Sequence, residues 1–160
     1  MRAHPVFIAG GILGLGLGGF FDGIVLHQIL QWHHLVCVTV HCQPLSLAQA
    51  KVQSRQDGYF HLAVLIMTII GSYRLFHAAG LQDAPRSAGA FFGPVLCGWG
   101  VFNFVEGVID HQVLGIHHVL PGSPHQLAAD MVFLASGVLF FLVGRFLIPA
   151  VADRHHLATA

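Results

Sequence analysis

Charged side chains are scarce in this sequence. Seven Lys and Arg and seven Asp and Glu make up only 9% of its 160 residues, against about 25% in an average soluble domain. The 55% hydrophobic content and the mean hydropathy of +0.71 exclude an ordinary soluble domain. No basic cluster is present to neutralise phosphates, so nucleic acid is excluded as a partner. The sequence predicts an integral membrane protein whose main partner is the lipid bilayer.

Long apolar runs give the number of membrane crossings. No Lys or Arg occurs between Arg2 and Lys51, which leaves ample room for the ~20 residues that span a bilayer. The first run is too long for a signal peptide, and we expect it to be retained. We predict a single transmembrane domain over residues 1–160, with spans at about 6–36, 58–79, 88–119 and 126–148.

The distribution of basic residues predicts the orientation of these spans. Short cytoplasmic loops carry an excess of Lys and Arg. Only Lys51 and Arg55 fall in the first loop, whereas the other five basic residues lie at the termini and in the second loop. We therefore expect a multi-pass membrane protein with both termini in the cytoplasm. The ends of spans one and three would then face outward.

Two copies of one polar motif lie inside these apolar runs. FDGIVLHQILQWHH ends at His34, and FNFVEGVIDHQVLGIHHV contains the second copy, which ends at His118. Aligned without a gap, the copies share an acid, a Gly, a His-Gln pair and a His-His pair. The repeat predicts an all-α fold, an integral membrane four-helix bundle built from two parallel two-helix repeats over about 6–79 and 88–148.

The polar residues of each motif share one face of a helix. At ~100° per residue, the acids and histidines fall on one arc and the apolar residues on the other. Charged groups inside a membrane face the bundle interior or a water-filled cavity rather than lipid. Asp57 and His61 in span two and Asp130 in span four add to the same interior region.

Such a cluster predicts a metal site. Burying several ionisable groups costs several kcal/mol each unless they are paired or coordinate a metal. The candidate metal ligands are His27, His34, His61, His111, His118, Glu106 and Asp110. Outer partners or alternative ligands are Asp22, His33, His117, Asp57, Asp130 and His125. His27 and His34 would be ~10 Å apart along a straight helix, which favours two ions or one ion and a loading site.

Several functions are compatible with these residues. Imidazoles outnumber the carboxylates, so copper is the first choice, followed by iron and then zinc. The leading hypothesis is a metal-dependent membrane oxidoreductase that acts on a small molecule or oxygen species. A copper or zinc carrier or assembly factor for another membrane complex, and a b-type haem electron-transfer protein, are the alternatives. Paired His and Asp could instead form a proton relay. Association with a redox complex and homo-oligomerisation stay open.

Cysteine is also rare. Of the three cysteines, Cys97 lies in mid-span, while Cys37 and Cys42 flank His41 in CVTVHC at the predicted outer end of span one. An oxidising exterior would allow a disulfide there. A disulfide and a pair of free thiols both stay open.

The two motifs resemble those of a known family. GFFDGIVLHQILQWHH and FNFVEGVIDHQVLGIHHV make the chain similar, over nearly its whole length, to the small bacterial membrane proteins catalogued as domain of unknown function 2243. The resemblance implies four spans in a bacterial cytoplasmic membrane and carries no established activity.

Overall fold

The fold consists of four long helices. A computed structural model describes residues 4–37 and 42–148, and within these ranges all regular structure is helical. Two of the helices change from α to the wider π form before they end. In chain order the elements are α1 (Pro5–Phe21), a first π-helix (Asp22–Ile29), α2 (Leu47–Ala79), α3 (Ala88–Glu106), a second π-helix (Gly107–Val113) and α4 (Gln126–Leu147).

All four predicted spans are present as helices. Each helix, with its π extension where it has one, is long and apolar enough to cross a membrane. The predicted fourth span at 126–148 nearly coincides with α4. The first and third helices end at Ile29 and Val113, earlier than the predicted limits of about 36 and 119, and α2 begins well before residue 58. Both early ends fall within the polar motifs.

Local signals explain where the helices begin and end. Ser46 precedes α2 and its hydroxyl accepts a hydrogen bond from the Gln49 amide, and Ser87 does the same for Ala90 in α3. These bonds satisfy amides that have no partner within the helix. At the end of α4, Ile148 is extended with ψ of 117°, as expected for a residue that precedes a proline in the sequence.

The two inner helices are α1 and α3. They contact each other, while α2 packs on α1 and α4 packs on α3; α2 and α4 do not touch within the described ranges. Glycines allow the backbones to approach closely, as in other membrane helix pairs. A Cβ on Gly14 would lie 2.8 Å from the carbonyl carbon of Val95, and one on Gly100 would meet the backbone of Gly137 and Phe141. The polar motifs thus extend from two closely packed inner helices.

Candidate metal centre

Both polar motifs leave the α-helical form at their acidic residue. Asp22 begins the first π-helix, and Glu106 is the last residue of α3 before the second one. A π-helix is rare in proteins and is frequently found at functional sites. Its wider winding means that the arcs calculated for a regular α-helix do not hold beyond these acids.

Each π-helix ends in a sharp turn. The Trp32 amide bonds to the Leu26 carbonyl at 3.0 Å, and at the matching position of the second motif the Ile116 amide bonds to the Asp110 carbonyl at 3.1 Å. The turn requires the left-handed backbone region, with φ of 51° at Gln31 and 62° in the second motif, where a glycine takes the same place. These turns fold the chain back, so the first histidine of each His-His pair returns to the end of the bundle.

Four buried side chains converge between the two motifs. One ligand atom from each of Asp22, His27, His33 and His117 lies within 4.8 Å of the other three. Nε2 of His27 is 2.9 Å from Asp22 Oδ2, and Nε2 of His33 is 3.4 Å from Oδ1 of the same carboxylate. His117 Nε2 lies 3.4 Å from His27 Nε2. All four residues are at most 1% exposed. We refer to this group as the four-residue cluster.

Backbone carbonyls fix two of the imidazoles from behind. His33 Nδ1 is 3.0 Å from the Val119 carbonyl oxygen, and His117 Nδ1 is 2.9 Å from that of His34 and 3.2 Å from that of Leu35. A carbonyl oxygen only accepts, so each Nδ1 must carry the proton and donate. The lone pair of a neutral ring then lies on Nε2, toward the cluster. This arrangement is common among metal-binding histidines, whose outer nitrogen donates to an oxygen.

Asp57 supports the third imidazole. Its Oδ1 lies 3.2 Å from His27 Nδ1 and accepts from the Leu35 amide at 2.9 Å. Its Oδ2 accepts from His34 Nδ1 at 2.6 Å and from Gln28 Nε2 at 3.2 Å. One buried carboxylate therefore holds the ring of His27 and the turn that carries the His-His pair of the first motif.

Asp130 makes the matching contacts in the second half of the chain. It accepts from His118 Nδ1 at 2.7 Å and from the Val119 amide at 2.9 Å, and its Oδ1 lies 3.5 Å from His111 Nδ1. The equivalent residues of the two motifs thus make equivalent contacts with an aspartate from the following helix.

The two cluster histidines that lie beyond the helices, His33 and His117, differ in the direction in which their pKa is shifted. Burial lowers the pKa of His33 and outweighs its contact with Asp22. Burial also acts against a charged His117, but its contacts with Asp22 and Glu106 prevail and raise its pKa to about 10. Glu106 Oε1 lies 3.2 Å from His117 Nε2. The centre is therefore electronegative and attracts a cation, whether a proton or a metal ion.

Only some of the candidate ligands predicted from the sequence lie at the four-residue cluster. Of these, His27 lies in the four-residue cluster, and Glu106 contacts it. His34 and His118 instead bind the supporting aspartates and are partly exposed. His61 stacks near Phe20, with its Nε2 against Gly23. The remaining predicted residues are His111, which is buried beside the cluster, Asp110, which is half-buried and outside it, and His125, which is exposed at the start of α4.

A disulfide closes the loop that follows the first motif. Cys37 and Cys42 are bonded, which decides between the two states left open by the sequence. Gln53 of α2 donates its side-chain amide to the Cys42 carbonyl at 3.0 Å. His41, between the two cysteines, lies outside the described residues. The disulfide fastens the turn to α2, and neither cysteine is available as a thiolate ligand in this state.

Comparison with known proteins gives one match. The model of a family described as predicted membrane protein, DUF2243, matches residues 9–150. The chain belongs to the DUF2243 family. The matched range includes all four helices after the first turn of α1, together with the whole cluster. No curated protein and no solved structure matches the chain. This DUF2243 protein is a membrane protein, and its chemistry must be argued from the site.

The sequence pattern predicts Asp22, His33 and His117 as outer partners or alternative ligands, and the structure brings all three into the four-residue cluster. The prediction treats each motif as one regular helix that continues through its His-His pair. Gly115, two residues before His117, is the signal against this, because a glycine often ends a helix. In this DUF2243 protein the second π-helix ends at Val113, just before Gly115, and His117 takes the inward position.

Proposed function

We propose that the four-residue cluster of Asp22, His27, His33 and His117 binds a first-row transition-metal ion, and that the protein is a metal-dependent membrane oxidoreductase. One observation carries the proposal. Three imidazole nitrogens and a carboxylate converge within 4.8 Å, while the outer nitrogen of each ring faces an oxygen that fixes the ring. Such preorientation is needed for a metal ion and is not needed for packing alone.

The cost of burial supports an ion. Within residues 4–37 and 42–148, neither Asp22 oxygen finds a well-aligned hydrogen-bond partner, and His33 Nε2 finds none either, although all three atoms are buried. An unpaired buried charge costs several kcal/mol. A divalent cation at the centre would satisfy these atoms together. The competing explanation is a protonated His117 among carboxylates, which leaves His33 Nε2 without a donor.

The ligand set favours a redox metal. Imidazole suits iron, copper and zinc, and the carboxylate of Asp22 moves the preference from copper toward iron. We therefore place iron before copper, although the sequence alone favoured copper. When bound, such an ion would supply one-electron chemistry. The buried residues would hold it and exclude bulky reactants, so the substrate is a small molecule such as oxygen or a reduced oxygen species.

Two alternative functions are weaker. A carrier that passes its metal on needs exchangeable ligands, whereas all four cluster residues are at most 1% exposed. A b-type haem needs two histidines on opposite sides of a flat macrocycle, whereas these ring nitrogens converge on one point. Weak, exchangeable binding without turnover would favour the carrier, and a Soret band would favour haem.

The cellular setting is also part of the proposal. The excess of Arg at the termini and in the second loop supports a bacterial cytoplasmic membrane with cytoplasmic termini. The disulfide between Cys37 and Cys42 agrees with an exterior position for the cluster end of the bundle. We propose a single transmembrane domain, and a redox complex or a second copy of the chain as its partner.

The test is elemental analysis of protein purified in detergent, combined with absorption and EPR spectra. We expect about one tightly held ion per chain in the wild type and its loss in His27→Ala and His33→Ala. His77→Ala is the control, since His77 is exposed and stacks on Tyr73 away from the cluster. Absence of metal from the wild type would refute the metal site. A bound ion whose spectrum is unchanged by oxygen, superoxide and peroxide would refute the oxidoreductase.

A further inference from the structure

Two buried groups beside the four-residue cluster have polar atoms that form no hydrogen bond with the part of the chain that the structure describes. Glu106, the only glutamate of the chain, is 6% exposed, and the unbonded atom is its Oε2. His111 is 2% exposed, and both of its ring nitrogens are of this kind. An ion held by the cluster accounts for neither group. Buried polar groups of this kind require a partner.

These two groups occupy the positions that match Asp22 and His27. In the first motif, His27 packs against Phe60 in a tilted arrangement, with ring centroids 5.6 Å apart, and turns Nδ1 toward Asp57. In the second, His111 packs against Phe133 in the same tilted way at 5.0 Å and turns Nδ1 toward Asp130. The two rings therefore have equivalent orientations. Nε2 of His111 is directed away from Asp130, as Nε2 of His27 is directed away from Asp57.

Glu106 and His111 both lie close to the imidazole of His117. Glu106 Oε1 lies 3.2 Å from His117 Nε2, and the His111 and His117 rings are 5.6 Å apart between centroids. His117, one of the cluster residues, therefore lies between the rest of the four-residue cluster and the pair formed by Glu106 and His111.

The charge of the region exceeds what one ion would neutralise. Four buried carboxylates surround the histidines, namely Asp22, Asp57, Glu106 and Asp130. Among the described residues, none of the four forms an ion pair with Lys or Arg; their partners are histidines. With neutral imidazoles and all four carboxylates ionised, one divalent cation would leave a net charge of about −2 in a region from which water is largely excluded, and two cations would balance it.

We infer that Glu106 and His111 hold a second divalent cation, so that the centre is dinuclear. We expect this position to bind its ion more weakly than the four-residue cluster binds the first ion. Only the four-residue cluster brings several ligand atoms within 4.8 Å of one another among the described residues, so the second ion has fewer protein ligands and exchanges more readily. Solvent or substrate completes its coordination.

This inference rests on the proposed metal site, and the experiment separates the two. Metal-free protein is titrated with Mn(II), and bound ions are counted by elemental analysis before and after desalting, with EPR to detect coupling between neighbouring ions. The wild type is expected to bind about two ions, retain one after desalting and show a coupled spectrum. Glu106→Gln and His111→Ala are expected to bind one ion and to lose the coupling.

The control is Asp110→Asn, which alters a half-buried carboxylate next to His111 and is expected to bind two ions. Retention of the first ion shows that each variant is folded. A wild type that binds one uncoupled ion, or a Glu106→Gln or His111→Ala variant that still binds two, would overturn the second site alone. A wild type that binds none would overturn the proposed function as well.

Discussion

Asp57 offers the most direct test of how the cluster is held. Its two oxygens receive four contacts, from His27 and Leu35 on Oδ1 and from His34 and Gln28 on Oδ2. Asp57→Asn keeps the shape of the side chain but replaces one oxygen by an NH₂ group. Whichever way the amide turns, two donors then face a donor instead of an acceptor.

The magnitude follows from these contacts. A hydrogen bond to a charged group contributes about 1.5–3 kcal/mol, so the loss of two lowers the free energy of unfolding by roughly 3–6 kcal/mol. Loss of the oxygen behind a metal-binding histidine typically lowers metal affinity about 10–100-fold. Since Asp57 contacts the His27 ring, and through the Leu35 amide also steadies a carbonyl bonded to His117, we expect the affinity of the first ion to fall within this range.

Asp130→Asn is the matched control for this prediction. Asp130 is as buried as Asp57, holds His118 in the same way and steadies the Val119 carbonyl behind His33 through the Val119 amide, but the ring that it contacts directly is His111 rather than His27. Competition with a chelator of known affinity, on protein in detergent, measures both variants. We expect a similar loss of stability but only a few-fold loss of first-ion affinity in Asp130→Asn. Equal losses of affinity in the two variants would refute a specific role of Asp57 behind His27.

Two further predictions concern the scaffold and are measured by thermal unfolding in detergent. Gly14→Ala places a methyl group 2.8 Å from the Val95 carbonyl carbon and should cost about 1–3 kcal/mol, whereas Gly58→Ala meets nothing within 4 Å and should stabilise α2 by up to about 1 kcal/mol. Equal effects would contradict close packing of α1 on α3. Replacing Cys37 and Cys42 together by serine opens a short loop and should cost about 2 kcal/mol. Reductant should destabilise the wild type equally and leave the variant unchanged.

The helices could be predicted from the sequence because their cause is local. Composition along the chain is enough to identify four membrane-spanning segments, and the start of α3 at Ala88 agrees with the predicted limit. The packing role of the α1 glycines was also predictable from their spacing, since Gly10, Gly14 and Gly18 all approach α3. The early start of α2 was not predictable from hydropathy, because its first turns are polar and are fixed by the Ser46 cap.

The residue types that form the site could be predicted from the sequence, but which of the histidines enter the cluster could not. The paired motifs indicate that acids and histidines converge, and His27 and Glu106 do so. Which of the adjacent histidines, His33 or His34, enters the cluster depends on the single backbone turn at Gln31. On a regular helix both His33 and His34 would lie on the same arc as Asp22, whereas the π-helix and the turn at Gln31 direct only His33 into the cluster and leave His34 bonded to Asp57. A helical wheel has no information about a change of helix type, so this part required the structure.

The way the two motifs support each other explains why the polar motif occurs twice. The ring of His33 is fixed by the Val119 carbonyl of the second half, and the ring of His117 by the His34 and Leu35 carbonyls of the first. Each half therefore supplies an imidazole and also the acceptor that orients the imidazole of the other. Neither half alone has the oxygens that fix these Nδ1 atoms. Because a misdirected imidazole in a low-dielectric interior leaves a polar atom unpaired, correct docking of the halves and correct orientation of the ligands are energetically coupled.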